Sequence, residues 1–185
     1  MKKIFLLTAL AGMFAWSTAS AQVRDPAMSG AKLSIGADFA LPTGNTSNAY
    51  KLGFGGSLQY QQPIADQLNF TASAGYLNFT GKDAAGGLLK FRDYAAIPVK
   101  VGLRYFLAEN FYAGGELGAA FGTSDGARTS FVYTPGIGVE FPVSDKGSID
   151  LGARYEGWSS GDYKIGDQVH VKNFVGIRLA YNFGL

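Results

Sequence analysis

The stretch HVKNFVGIRLAYNFGL, from His170 to Leu185, separates into two interleaved rows. One row, carried back by one residue, is Val169, Val171, Asn173, Val175, Ile177, Leu179, Tyr181, Phe183 and Leu185. It is apolar except for a single Asn. The other is His170, Lys172, Phe174, Gly176, Arg178, Ala180, Asn182 and Gly184, mostly polar or small. Successive side chains of a strand point to opposite faces, so this is one strand with a greasy and a polar side. Strands of soluble domains run to about five or six residues. One this long, ending on apolar and aromatic positions, suits a strand that crosses a membrane as part of a barrel.

Working back from that strand, seven more alternating segments precede it, each bounded by Gly, Asn, Asp, Ser or Pro clusters. They span Ala31–Leu41, Leu52–Gln62, Leu68–Phe79, Ala95–Phe106, Phe111–Gly122, Ser130–Phe141 and Ser148 to about Trp158. The third changes parity at Leu77 and Phe79, which predicts a bulge or the barrel rim. The links alternate strictly. Pro63–Gln67, Leu107–Asn110 and Val143–Gly147 are short. Pro42–Lys51, Thr80–Tyr94, Thr123–Thr129 and Ser159–Gln168 are on the whole longer and rich in Gly, Ser, Asp and Lys. Outer-membrane barrels have this asymmetry of short periplasmic turns and longer external loops. The expectation is an all-β, eight-stranded antiparallel up-and-down transmembrane barrel with both termini periplasmic.

Glycine and aromatic placement agree with lipid outside. Gly36, Gly53, Gly75, Gly102, Gly118, Gly138 and Gly176 are among many glycines on the face opposite the apolar row. Glycine weakens a strand unless something approaches it closely, and the bore of eight strands is nearly filled by side chains. The aromatics gather at strand ends. Tyr60, Phe70, Tyr105, Phe111, Phe141, Tyr181 and Phe183 sit near the short turns. Phe39, Phe54, Tyr76, Phe121, Phe131, Tyr133 and Tyr155 sit near the long loops. Two such belts mark two lipid–water interfaces.

The inward row collects Lys32, Asp38, Lys100, Arg104, Glu116, Glu140, Asp150, Arg154, Glu156, Lys172 and Arg178. Charges taken out of water must pair, or each costs several kcal/mol. The expectation is a packed salt-bridge plug, with a narrow channel as the rival. Folding the hairpins sets Lys100 beside Glu116 and Glu156 near Lys172. Glu140 and Asp150 face each other, so a cation must lie between them, from Arg104, Arg154 or Arg178.

The N-terminus fits export. Met1-Lys2-Lys3 is basic, Ile4–Trp16 apolar, and Ala19-Ser20-Ala21 a small-x-small cleavage site. Residues 1–21 are expected to be a signal peptide, 22–30 a periplasmic lead-in and 31–185 the barrel domain. The formal charge of +2 comes from Lys2 and Lys3, leaving 14 basic and 14 acidic residues. Such a chain offers no basic stripe for nucleic acid. Zero cysteines leave no disulfide, catalytic thiol or lipoprotein acylation site. No segment after the signal approaches the apolar run of a spanning helix.

Catalytic signals are weak. His170 is the single histidine, with Ser159, Ser160, Asp162 and Asp167 nearby, and no spacing motif joins them into a triad. One His and no Cys exclude common zinc sets, and Asp125, Asp162 and Asp167 lack the order of a calcium loop. Gly53-x-Gly55-Gly56 is not followed by a helix and is no phosphate cradle. No enzyme activity, cofactor or metal is expected. A lipid-modifying barrel enzyme is the alternative from another class, and a soluble periplasmic ligand-binding barrel is a further one. Loop cations Lys82, Lys90, Arg92, Arg128 and Lys164 are candidates for touching lipopolysaccharide.

Several short motifs complete the picture: Leu41-Pro42-Thr43-Gly44, Ala74-Gly75-Tyr76, Ile97-Pro98-Val99-Lys100-Val101-Gly102-Leu103-Arg104-Tyr105, and Gly176-Ile177-Arg178-Leu179-Ala180-Tyr181-Asn182-Phe183. Through these the chain resembles the OmpA/OmpX-like outer-membrane β-barrel families, in particular small barrel proteins of Bacteroidetes-type bacteria. The resemblance covers residues 31–185. It implies a monomer in outer-membrane lipid and lipopolysaccharide, inserted by the barrel-assembly machinery through its C-terminal strand.

Overall fold

The computed structural model describes residues 30–44, 46–84, 89–90, 93–123, 129–159 and 171–185. Its strands are β1 (Lys32–Thr43), β2 (Tyr50–Ala65), β3 (Leu68–Gly81), β4 (Asp83–Ala84), β5 (Leu89–Lys90), β6 (Tyr94–Phe106), β7 (Phe111–Gly122), β8 (Thr129–Ser144), β9 (Gly147–Ser159) and β10 (Val171–Gly184). One helical turn, α1 (Thr46–Ala49), lies between β1 and β2. Eight of the strands close a barrel in the order β1-β10-β9-β8-β7-β6-β3-β2. Every pairing around the ring is antiparallel.

The first and last strands close the ring without a gap, from Lys32 opposite Gly184 to Thr43 opposite Asn173. A closed ring leaves no unpaired edge, which hydrocarbon requires because it offers the backbone no hydrogen-bond partner. No helix among the described residues is long and apolar enough to cross a membrane. The strands of 12 to 16 residues are ample for a tilted span, which takes roughly 9–11.

Several elements run past their expected ends. β2 and β8 extend to Ala65 and Ser144, so the turns beyond them shrink to Asp66–Gln67 and Asp145–Lys146. Gln67 takes a left-handed backbone, φ 59°, at that first turn. The long link after β3 holds a short antiparallel pair, β4 with β5.

The alternation sorts side chains as the sequence implies. Ile35, Leu58, Leu117, Ile137 and Leu179 stand outward, each more than half exposed. Lys32, Asp38, Lys100, Arg104, Glu140, Asp150, Glu156 and Arg178 are buried within. A water-soluble barrel would have the reverse arrangement, so the outer solvent of this one is lipid.

Of the two readings of Leu77 and Phe79, a bulge or the barrel rim, there is no bulge toward β6, and both residues lie near the long-loop end of β3. Register between β3 and β6 runs unshifted from Leu68 opposite Tyr105 to Phe79 opposite Tyr94. The parity changes because Leu77 and Phe79 point into the bore, only 3% and 2% exposed. The irregularities lie elsewhere, between Tyr50 and Gly53, Pro63 and Ala65, and Pro142 and Ser144.

Candidate functional site: a charged bore beneath an aromatic cap

The bore has two zones. At the long-loop end Ala40, Leu77, Phe79, Ala96, Ala120, Val132, Trp158 and Phe174 form one buried apolar cluster, with Tyr50 and Tyr94 packed on it. Its rings interlock edge to face: Trp158 and Phe174 centroids are 5.4 Å apart, Phe79 and Phe174 5.2 Å, Phe79 and Trp158 6.0 Å. Such geometry sets the positive ring edge on the negative face of its neighbour. Gly53 makes the Phe79 position possible, since a Cβ there would lie 2.7 Å from that ring.

Sequence reasoning missed this cap. Its signals were present: the inward Phe174, the inward Trp158 and the parity change at Leu77 and Phe79. Each is an apolar residue on a row otherwise polar.

Below the cap lie the charges. Glu156 receives Lys100 Nζ at 2.9 Å, Arg154 Nε at 2.6 Å and Trp158 Nε1 at 2.8 Å. Lys100 also lies 3.3 Å from Glu116, as hairpin folding expects. Gln59 Nε2, Thr71 and Ser73 donate to Glu116 as well. Arg154 Nη2 lies 2.8 Å from Asp38 Oδ1. A Cβ at Gly176 would press on the Arg154 chain at 3.1 Å, so this glycine gives that arginine its room.

Toward the short turns, Glu140 and Asp150 stand directly opposite one another on β8 and β9. Arg104 is the cation between them, with Nη1 2.7 Å from Asp150 and 3.6 Å from Glu140. Its guanidinium lies 3.8 Å over the Tyr112 ring, and Tyr112 donates to Asp150 at 3.0 Å. Glu140 is further held by Lys32 Nζ at 2.5 Å and the Ser148 hydroxyl at 2.6 Å. Arg178 donates through Nε to Ser57 at 3.0 Å and approaches Asp150 only to 3.7 Å.

One expected pair is corrected. Glu156 does not meet Lys172. Register sets Phe174 opposite Glu156 and Lys172 opposite Trp158, and those two rings fill the space between the charges. Glu156 turns down to Lys100 and Arg154, while Lys172 Nζ rests 3.3 Å over the Tyr94 ring at the cap's outer side.

The belt aromatics stand outward. Phe39, Phe54, Tyr76, Tyr105, Phe111, Phe121, Phe131, Phe141, Tyr155, Tyr181 and Phe183 are exposed. Tyr60, Phe70 and Tyr133 are partly so. Residues 1–29 and the residues His170, Ser160, Asp162, Asp167, Asp125, Arg92, Arg128 and Lys164 lie outside the described residues. Among the described residues no group of three His, Cys, Asp or Glu is placed to hold a metal.

Known proteins agree with this architecture. The chain belongs to the outer membrane protein beta-barrel domain family, whose model matches residues 5–183. It is therefore an integral outer-membrane β-barrel of the OmpA/OmpX-like kind. No curated protein matches the sequence. Neisserial surface protein A, NspA, is similar at 19% identity and TM-score 0.56, over 85% of this chain and 98% of that one. Ail, the attachment invasion locus protein of Yersinia pestis, is similar at 23% and 0.53, over 84% and 100%. OprG from Pseudomonas aeruginosa is similar at 13% and 0.55, over 88% and 100%. At such identities these likenesses speak for the fold alone.

Proposed function

We propose that this member of the outer-membrane barrel family is a closed barrel with a structural or surface-interaction role, neither an open pore nor a catalyst. The observation that carries this reading is the filled bore. Five cations, Lys32, Lys100, Arg104, Arg154 and Arg178, are interleaved with five carboxylates, Asp38, Glu116, Glu140, Asp150 and Glu156. An interlocked aromatic layer covers them. A conduction path needs continuous water through the bore, and a packed, buried apolar layer interrupts it.

Residues 1–21 act as a cleaved signal, 22–30 lead into the barrel, and both termini face the periplasm. The long loops then face outward, toward lipopolysaccharide and any external partner. The two aromatic rows seat the barrel at the lipid–water interfaces. Assembly proceeds through the barrel-assembly machinery, and the mature protein is a monomer.

The test is planar-bilayer conductance of the refolded mature barrel. The reading expects no steady current above the bare membrane; a large, steady pore overturns it. Cysteines placed singly in the four long loops and labelled on intact cells test the orientation. Lipid A mass spectrometry of a deletion strain tests the enzymatic alternative.

A further inference from the structure

At the short-turn end the outward row stays apolar past its aromatic belt. Leu107 follows Tyr105, Val143 follows Phe141 and Leu185 follows Phe183, each two residues on, and Ile64 lies four past Tyr60. All four aliphatics are more than half exposed. At the long-loop end the same row turns polar beyond its belt, at Asn78, Thr123, Thr129, Ser159 and Asn173, with Leu41 and Leu52 as exceptions. The two rims are built differently.

Matched devices place two of the four. Pro63-Ile64-Ala65-Asp66 closes β2 and Pro142-Val143-Ser144-Asp145 closes β8, in the same order of proline, aliphatic, small residue and acid. In each the register slips by one, between Pro63 and Ala65 and between Pro142 and Ser144, so Ile64 and Val143 are the extra residues. A bulge re-aims the side chain it carries. Leu107-Ala108-Glu109 repeats aliphatic, small and acid at the third turn. Leu185 is held at the same end by its N–H on the Ala31 carbonyl, 2.9 Å.

Depth and charge then select an occupant. Two residues of a tilted strand advance about 5 Å along the membrane normal. The headgroup layer is roughly 5–7 Å deep on each side. The aliphatics therefore stand within that layer and the acids at its watery edge. Asp66, Glu109 and Asp145 are exposed, and Lys146 is the one cation in the three turns.

We infer that this rim is a docking surface for phospholipids with a primary-ammonium headgroup, phosphatidylethanolamine being the simplest. The aliphatics continue the lipid-facing wall and take the glycerol and upper acyl carbons. The carboxylates accept charge-assisted hydrogen bonds from the ammonium. A trimethylammonium headgroup has the charge but no N–H to donate, and an anionic headgroup meets three acids against one lysine. A basic polypeptide would meet the same acids, but the aliphatic ring lies at membrane depth, where lipid already is. The inference rests on the integral-barrel reading of the preceding section, with the short turns at the inner leaflet.

The experiment is native mass spectrometry of the refolded wild-type barrel in detergent, mixed with equal phosphatidylethanolamine and phosphatidylcholine of the same acyl chains. Ethanolamine adducts should exceed choline adducts by about two- to fivefold, the range that exposed ion pairs supply. The triple variant Asp66→Asn, Glu109→Gln, Asp145→Asn should fall to parity while keeping the heat-modifiable gel mobility of a folded barrel. Ile64→Ser with Val143→Ser should lower adducts of both lipids alike. Parity in the wild type, or a preference that survives the triple variant, overturns the inference. So does lipid parity joined to saturable binding of an oligolysine peptide that the triple variant loses, which assigns the rim to a basic polypeptide. None of these readings depends on which way the barrel faces or whether it conducts, so cysteine labelling and conductance fail or succeed separately.

Discussion

Lys32 on β1 and Glu140 on β8 meet at 2.5 Å although 108 residues separate them. The contact crosses the bore and ties the first barrel strand to the sixth. Arg104 to Asp150 and Lys100 to Glu156 do the same between β6 and β9. The interior is laced across its width, which holds the ring round and fills it.

Breaking one such contact leaves an uncompensated buried charge. Glu140→Gln should destabilise the barrel by about 3–5 kcal/mol, since Lys32 loses its carboxylate and Arg104 the more distant of its two. Urea unfolding in lipid vesicles measures this. A double variant with Lys32→Met should cost clearly less than the two single changes summed; strict additivity would mean the two groups do not interact.

Two inward lysines should behave differently. Lys100 joins Glu116 and Glu156, so Lys100→Met should cost about 3–5 kcal/mol. Lys172 touches the Tyr94 ring, a contact worth roughly 0.5–2 kcal/mol. Equal losses for Lys172→Met and Lys100→Met in the same assay would contradict the assigned partners of Glu156.

Opening the cap should show in both stability and current. Phe79, Trp158 and Phe174 interlock, and truncating one such buried ring costs about 3–5 kcal/mol. The combination Phe79→Ala with Trp158→Ala should pass more bilayer current than the wild type. If the double variant inserts and stays as silent as the parent, the cap is not the barrier.

The outer row should reject charge at the membrane midplane. Val175→Arg or Ile177→Arg should cost about 2–4 kcal/mol in vesicle unfolding, with smaller losses near the strand ends. An arginine already stands between them and the chain end at Arg178, on the inner face, only 6% exposed. Equal tolerance of new arginines on both faces of β10 would reverse inside and outside.

The barrel itself was legible in the residues because the pleat has a period of two. Val175, Ile177 and Leu179 alternate with Gly176, Arg178 and Ala180 whatever the rest of the chain does. Loop lengths then set neighbours and direction, so strand count, antiparallel order and lipid-facing rows needed no coordinates. Hairpin neighbours were within reach too, as Lys100 and Glu116 illustrate.

Closure decided the rest. Which charge meets which across the bore depends on the stagger of all eight strands together, so Glu156 found Lys100 on β6 and not Lys172 on its own hairpin. A periodicity argument treats Leu77, Phe79, Trp158 and Phe174 as separate breaks in pattern. Only a ring that brings β3 to one level with β9 and β10 turns those breaks into a single packed layer. Asp38 and Arg178, opposite one another in register, turn to Arg154 and Ser57 for the same reason, since side chains on the inner face compete for one narrow space that no single strand can foresee.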